Sequence, residues 1–153
     1  MKTRVQGKPA AVRLLLRELS GQLAQLNHRV GSRAKLKDGD LASLDILARN
    51  GPMSPTALAR ASHLHPATMT GVLDRLEAEG WIVRERDPAD RRAVQVRAVG
   101  GRVRELMELY AGMNGQVERI AEAYDAAELA VIIDFLDRII AAGRDANDAL
   151  AAE

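Results

Sequence analysis

Ala67, Thr68 and Thr70 follow Pro66 at the start of a short helical segment, and Arg91 and Arg92 stand side by side between two β-rich runs further along. Small and polar side chains at a helix start suit entry into a major groove only about 12 Å wide, where bulky residues do not all fit. Threonine hydroxyls can bond base edges or phosphates, the methyls of threonine and alanine can meet thymine methyls, and the helix N-terminus attracts phosphate. A guanidinium at a hairpin tip can enter a narrow minor groove, where A·T tracts deepen the negative potential. The plainer reading is a three-helix core followed by a self-paired turn, because Asp87 and Asp90 flank the arginines. Both hold together if Asp90 is a positioning residue, since a carboxylate that aims an Arg fork cancels charge but fixes geometry.

The elements that position these residues are legible from periodicity. Val12, Leu15, Leu16, Leu19, Leu23, Leu26 and Val30 recur at steps of three and four and predict a long first helix ending near Gly31. Asp40 is expected to cap a second helix through Leu41, Leu44, Leu47 and Ala48, stopped by Asn50-Gly51-Pro52. Ser54 caps a third, with Pro55 in its first turn, and Pro66 opens a fourth that ends at Gly80 and buries Met69, Val72, Leu73 and Leu76. The runs 81–86 and 93–97 read as strands joined by the polar segment 87–92, a wing. Downstream, Val103 to Tyr124 and Leu129 to Ile140 predict two more long helices with a break at Asp125. The expected fold class is mainly α (α+β), a winged helix-turn-helix over 38–99. Helical segments 8–37 and 100–150 form a dimerisation region, because they carry more apolar stripe than the central block can cover. Residues 1–7 form a basic arm.

Charge placement supports a polyanion partner. The 153 residues net only +1, yet residues 1–37 hold nine Lys or Arg against one Glu, while the stretch from 98 onward holds five Arg against eleven acids. The chain has no cysteine, which excludes disulfides and thiolate chemistry and is compatible with a cytoplasmic location. No apolar run approaches membrane-spanning length, so no membrane association is expected. The residues expected to face duplex DNA are Ser54, Thr56 and Arg60 before the turn, His65, Ala67, Thr68, Thr70 and Arg75 around the fourth helix, and Arg84, Arg91 and Arg92 of the wing.

The stretches Leu64 to Glu77 and Gly80-Trp81-Ile82-Val83-Arg84, with the wing Asp87-Pro88-Ala89-Asp90-Arg91-Arg92, resemble signatures of the MarR family of winged-helix regulators. The similarity covers about residues 10 to 145. It implies a homodimer built from the first helix and the last two, repression of transcription at an inverted repeat, and relief by a small aromatic or phenolic effector. It also implies that Asp74 positions the wing by pairing with Arg92. The chain departs from the family pattern at Ala98-Val99-Gly100-Gly101, where a threonine cap is usual and Gly100 would cap instead, and at Gly71, often a basic residue.

Other chemistry has less support. Asn27, His28 and Tyr110 are the residues that could line an effector pocket, although His and Tyr at helix seams commonly serve as hydrogen-bonded core. Gly112 and Gly115 inside a helix each cost about 1 kcal/mol relative to Ala, which suggests either a bending point or a close helix crossing. His63-x-His65 lacks a cysteine or an i, i+4 partner for a metal, so no metal or cofactor is expected. No nucleophile elbow, Walker lysine or dinucleotide fingerprint is present, so no enzymatic activity is expected. The rival readings are a winged-helix protein-interaction module that has given up DNA, and a metal-responsive regulator.

Overall fold

The computed structural model describes residues 7–87, 90 and 92–151, and the chain divides into two compact units, Met1–Leu106 and Met107–Glu153. In the first unit α1 (Lys8–Ala34) starts with Pro9 in its first turn and stops where Lys35 turns left-handed at φ 60°. The Leu36 amide then bonds back to the Gly31 carbonyl at 2.8 Å. A Cβ on Gly31 would stand 2.9 Å from the Leu36 oxygen, so this stop requires glycine there. α2 (Asp38–Asn50) begins at Lys37 and not at Asp40 as expected. Asp40 lies one turn inside, and its carboxylate reaches back to the Lys37 amide at 3.2 Å, which satisfies an orphan donor from the third helical position.

α3 (Pro55–Ala61) is capped as expected, the Ser54 hydroxyl accepting from the Ala57 amide at 3.1 Å. α4 (Pro66–Ala78) is capped by His65, whose Nδ1 accepts from the Ala67 amide at 3.3 Å. Gly80, at φ 72°, turns the chain into β1 (Ile82–Arg86), which pairs antiparallel with β2 (Val94–Ala98), Arg84 opposite Val96 and Arg86 opposite Val94. Met53 adds an isolated antiparallel bridge to β2 through two bonds to Val96 at 2.8 and 3.1 Å. Leu44, Leu58, Met69, Leu73, Leu76, Ile82 and Val96 are fully buried together, so the core of this unit is made by α2, α3, α4 and the foot of the wing. α5 (Gly100–Glu108) follows, with Leu106 buried and Arg102 lying over the Trp81 ring at 4.0 Å. Gly100 is the first residue of this helix and not its cap; the Val99 carbonyl receives the first helical bond, from Val103.

The two expected helices after the wing are three. The chain turns at Leu109–Tyr110, where the Tyr110 amide bonds to Met107 three residues back, and restarts as α6 (Ala111–Ala121) and α7 (Ala126–Ala151). A single three-residue turn keeps side chains nearly in phase, so apolar spacing runs through it unbroken. Gly112 and Gly115 belong to α6, and among the described residues nothing outside the helix's own backbone stands within 4 Å of the Cβ that either would carry. The break at Asp125 is as expected: its carboxylate accepts from the amides of Ala127 and Glu128, both at 2.8 Å, while Glu128 accepts from the Asp125 amide. Neither α6 nor α7 has a buried residue, and α7 exposes Val131, Ile133, Phe135, Leu136, Ile139 and Ile140. None of the described helices is long and apolar enough to cross a membrane.

Candidate nucleic-acid interface

The turn between α3 and α4 is closed by backbone bonds alone. His63 adopts a left-handed conformation at φ 52°, its amide bonds to Arg60, and the Leu64 amide bonds to Ala59 at 2.9 Å. This double closure is a Schellman motif, usually built on glycine, and it fixes the direction in which α4 leaves α3. The chain then turns straight into His65-Pro66, and α4 presents its first turn outward.

Ala67, Thr68 and Thr70 are exposed on that turn, with the Thr70 hydroxyl donating to the Pro66 carbonyl at 3.1 Å and keeping its lone pairs available. The helix N-terminus carries no acid in its first turn, so its amides remain attractive to an anion. On α3, Thr56 and Arg60 are exposed, while Ser54 is half-buried and occupied by its cap. Arg75 is held by Asp40, its Nη2 donating to Oδ1 at 2.7 Å and its Nε to Oδ2 at 3.4 Å. The Asp40 side chain is only 4% exposed against 44% for Arg75. The hydrogen bond that it donates to Asp40 holds the Arg75 guanidinium above its ordinary range, against an opposing effect of burial.

The wing root departs from the expected pairing. Asp74 bonds Arg84, not Arg92: Arg84 Nη2 donates to Asp74 Oδ1 at 2.7 Å while Nη1 donates to Glu77. The reason is strand alternation. Arg84 lies two residues from buried Ile82 and so faces the same side of β1, towards α4. Asp74 and Glu77, three apart on one helix face, form the receptor for its fork. Asp74, with burial opposing and Glu77 adding to it, raises the Arg84 guanidinium above its ordinary range. Arg92 lies beyond the last strand pair, is exposed, and makes no ion pair among the described residues. Arg91 lies outside the described residues, as do the first six residues of the basic arm.

Asp90 positions backbone. Its carboxylate accepts from the Arg92 amide at 2.9 Å and its carbonyl from the Ala93 amide at 2.9 Å, an Asx-type turn that sets how Arg92 leaves the hairpin. Asp87 accepts from the Gln95 side chain at 2.6 Å, and Arg97 pairs with Glu85 across the strands at 3.0 Å. Among the expected effector residues, Asn27 and His28 are exposed on α1, with His28 Nδ1 3.5 Å from Asp38, and Tyr110 is half-buried at the start of α6. No three His, Cys, Asp or Glu side chains among the described residues come together so as to hold a metal.

Two structural partners escaped the sequence reading, Asp40 and Glu77. A signal existed for each: Asp40 stands at the third position of a capping-box spacing, and Glu77 shares a helix face with Asp74.

Residues 36–94 match the model of the MarR family. The chain is 28% identical over 124 residues to the uncharacterised HTH-type transcriptional regulator YcgE of Bacillus subtilis, spanning 81% of this chain and 80% of that protein. It is 27% identical over 103 residues to the HTH-type transcriptional repressor YetL of the same organism, spanning 66% and 62% of the two chains. A MarR family protein from Bacillus stearothermophilus shares its fold with a TM-score of 0.70 at 20% identity, covering 93% of this chain and 99% of the other. NadR in complex with 4-hydroxyphenylacetate does so with a TM-score of 0.61 at 22% identity, covering 91% and 97%. The winged helix-turn-helix block thus matches the MarR family over residues 36–94, and the chain shares its fold with solved MarR-family proteins.

Proposed function

We propose that the protein is a homodimeric, sequence-specific DNA-binding repressor whose α4 helices enter successive major grooves while Arg91 and Arg92 flank them in the minor groove. The observation that carries this reading is the exposed, acid-free first turn of α4, with Ala67, Thr68 and Thr70 outward, joined to a wing root fastened by Arg84. Thr56 and Arg60 then meet the phosphates beside the groove, and Ser54, His65, Asp74, Asp90, Arg75 and Arg84 hold the geometry. Residues 38–99 act as the DNA-binding block. Segments 8–37 and 100–150 act as the dimerisation region, supported by the apolar residues that α1 and α7 each leave exposed. Repression is supported by the name of YetL, and relief by a phenolic acid by the ligand of NadR. The working compartment is the cytoplasm.

One observation favours a second reading, a protein-interaction module. Arg75 and Arg84, two of the cations around α4, are both engaged by carboxylates. Titration of a labelled mixed-sequence duplex at roughly physiological salt separates the two. The repressor reading expects Arg92→Ala to lose about 1–3 kcal/mol of binding and 4-hydroxyphenylacetate or a related acid to weaken the complex. The interaction-module reading expects micromolar or weaker binding, indifferent to both changes.

A further inference from the structure

The corner between α1 and α2 is a built structure with an unexplained charge. Leu36 is buried, its amide is bonded to Gly31, and Lys35 is fixed in the left-handed region, so the turn has one shape. Arg33, Lys35 and Lys37 are exposed on it and make no ion pair among the described residues. Of the acids nearby, exposed Asp38 lies 3.5 Å from His28, and buried Asp40 is bonded to Arg75.

Asp40 ties this corner to α4. One carboxylate oxygen accepts from the Lys37 amide at 3.2 Å and the other from Arg75 at 2.7 Å, so a single buried side chain spans from the turn to the recognition helix. Arg75 stands on the stripe of Ala67 and Gly71 at four-residue intervals, and a Cβ on Gly71 would meet its Nη1 at 3.6 Å. Eight residues of helix rise about 12 Å, roughly the width of the major groove. A helix whose first turn reads the groove floor therefore brings Arg75, and the corner fastened to it, to the groove's edge, where the phosphates are.

We infer that Arg33, Lys35 and Lys37 form a second phosphate-contacting surface, which takes the sugar–phosphate backbone of the same duplex beside each half-site. This rests on the DNA-binding reading above. Because the turn is already fixed, the contact orders only side chains, and it contributes affinity without reading sequence.

The test uses the full-length protein and a duplex that it enriches from a random library. Lys35→Gln with Lys37→Gln removes two charges from the corner, and the slope of log affinity against log salt becomes shallower by about 0.9 for each lost phosphate contact, about 1.8 for each bound protomer. Because the chain has no cysteine, Lys35→Cys carrying an iron-chelate cleavage reagent also cuts the duplex on the flank of each half-site. An unchanged slope, or cuts with no fixed position, overturns the corner while leaving wild-type DNA binding intact; failure of the wild type to enrich any duplex overturns both readings.

Discussion

Arg84 on β1 grips Asp74 at 2.7 Å and Glu77 at the same time, so the root of the wing is fastened to the C-terminal half of α4 by one guanidinium. α4 and the wing root are thereby held as one body, and on the proposed DNA-binding reading the angle between their two groove contacts is set before DNA arrives. Affinity then depends on Arg84 through geometry and not through charge delivered to a phosphate.

The first prediction follows. Arg84→Gln weakens duplex binding, yet leaves the salt slope nearly as it was, whereas Arg92→Ala makes the slope shallower. A double-mutant cycle of Asp74→Asn with Arg84→Gln yields a coupling of about 0.5–1 kcal/mol in urea denaturation, the magnitude of a partly exposed pair. A coupling of zero contradicts the positioning role.

Asp40 and Arg75 make the more buried bridge, and breaking it is more damaging. Arg75→Met leaves the Asp40 carboxylate with the Lys37 amide alone and lowers stability by about 2 kcal/mol, below the full cost of a buried unpaired charge because Arg75 is half exposed. The raised Arg75 pKa has a definite sign for pH. Stability from the charged guanidinium is complete below its ordinary range and is lost only as pH rises through the raised folded value. Arginine deprotonation therefore adds no slope to stability in neutral or acidic solution, which melting curves across that range check.

His63 holds a left-handed backbone conformation that favours glycine. His63→Gly removes that strain and raises stability by about 0.5–1 kcal/mol, although it also adds freedom to the unfolded chain. Thermal melting shows the rise, and unchanged DNA affinity shows that the turn sets direction without touching DNA. A fall in melting temperature contradicts the assignment.

The exposed apolar face of α7 predicts the oligomeric state. Leu136 and Ile140 are four apart and exposed. Leu136→Glu with Ile140→Glu places two charges on one face of a helix that has no fully buried residue. Sedimentation then shows a monomer whose far-ultraviolet circular dichroism is unchanged and whose duplex binding is weakened. A dimer that survives both charges contradicts the proposed interface.

Local signals carried most of the architecture. Ser54-Pro55, Pro66, Gly80 and Asp125 mark element ends through their own backbone and capping chemistry, and the ends fall where these residues put them. The misses have different causes, some local and some tertiary. Asp40 is of a type that suits a cap, but the path of the chain out of Lys35 decides which residue begins α2. The break at Tyr110 was hidden because side-chain phase survives a tight turn. The partner of Asp74 depends on strand register, since either Arg84 or Arg92 satisfies the same charge. Only the shared face of Ile82 and Arg84 selects Arg84, and that alternation was present in the sequence.

The most direct test of the central claim is selection from a random-duplex library with the purified protein at roughly physiological salt, followed by sequencing. The account predicts an enriched inverted repeat whose half-sites lie about 10 bp apart, one helical turn, as two α4 helices related by a twofold axis require. A library that emerges without any enriched sequence contradicts it.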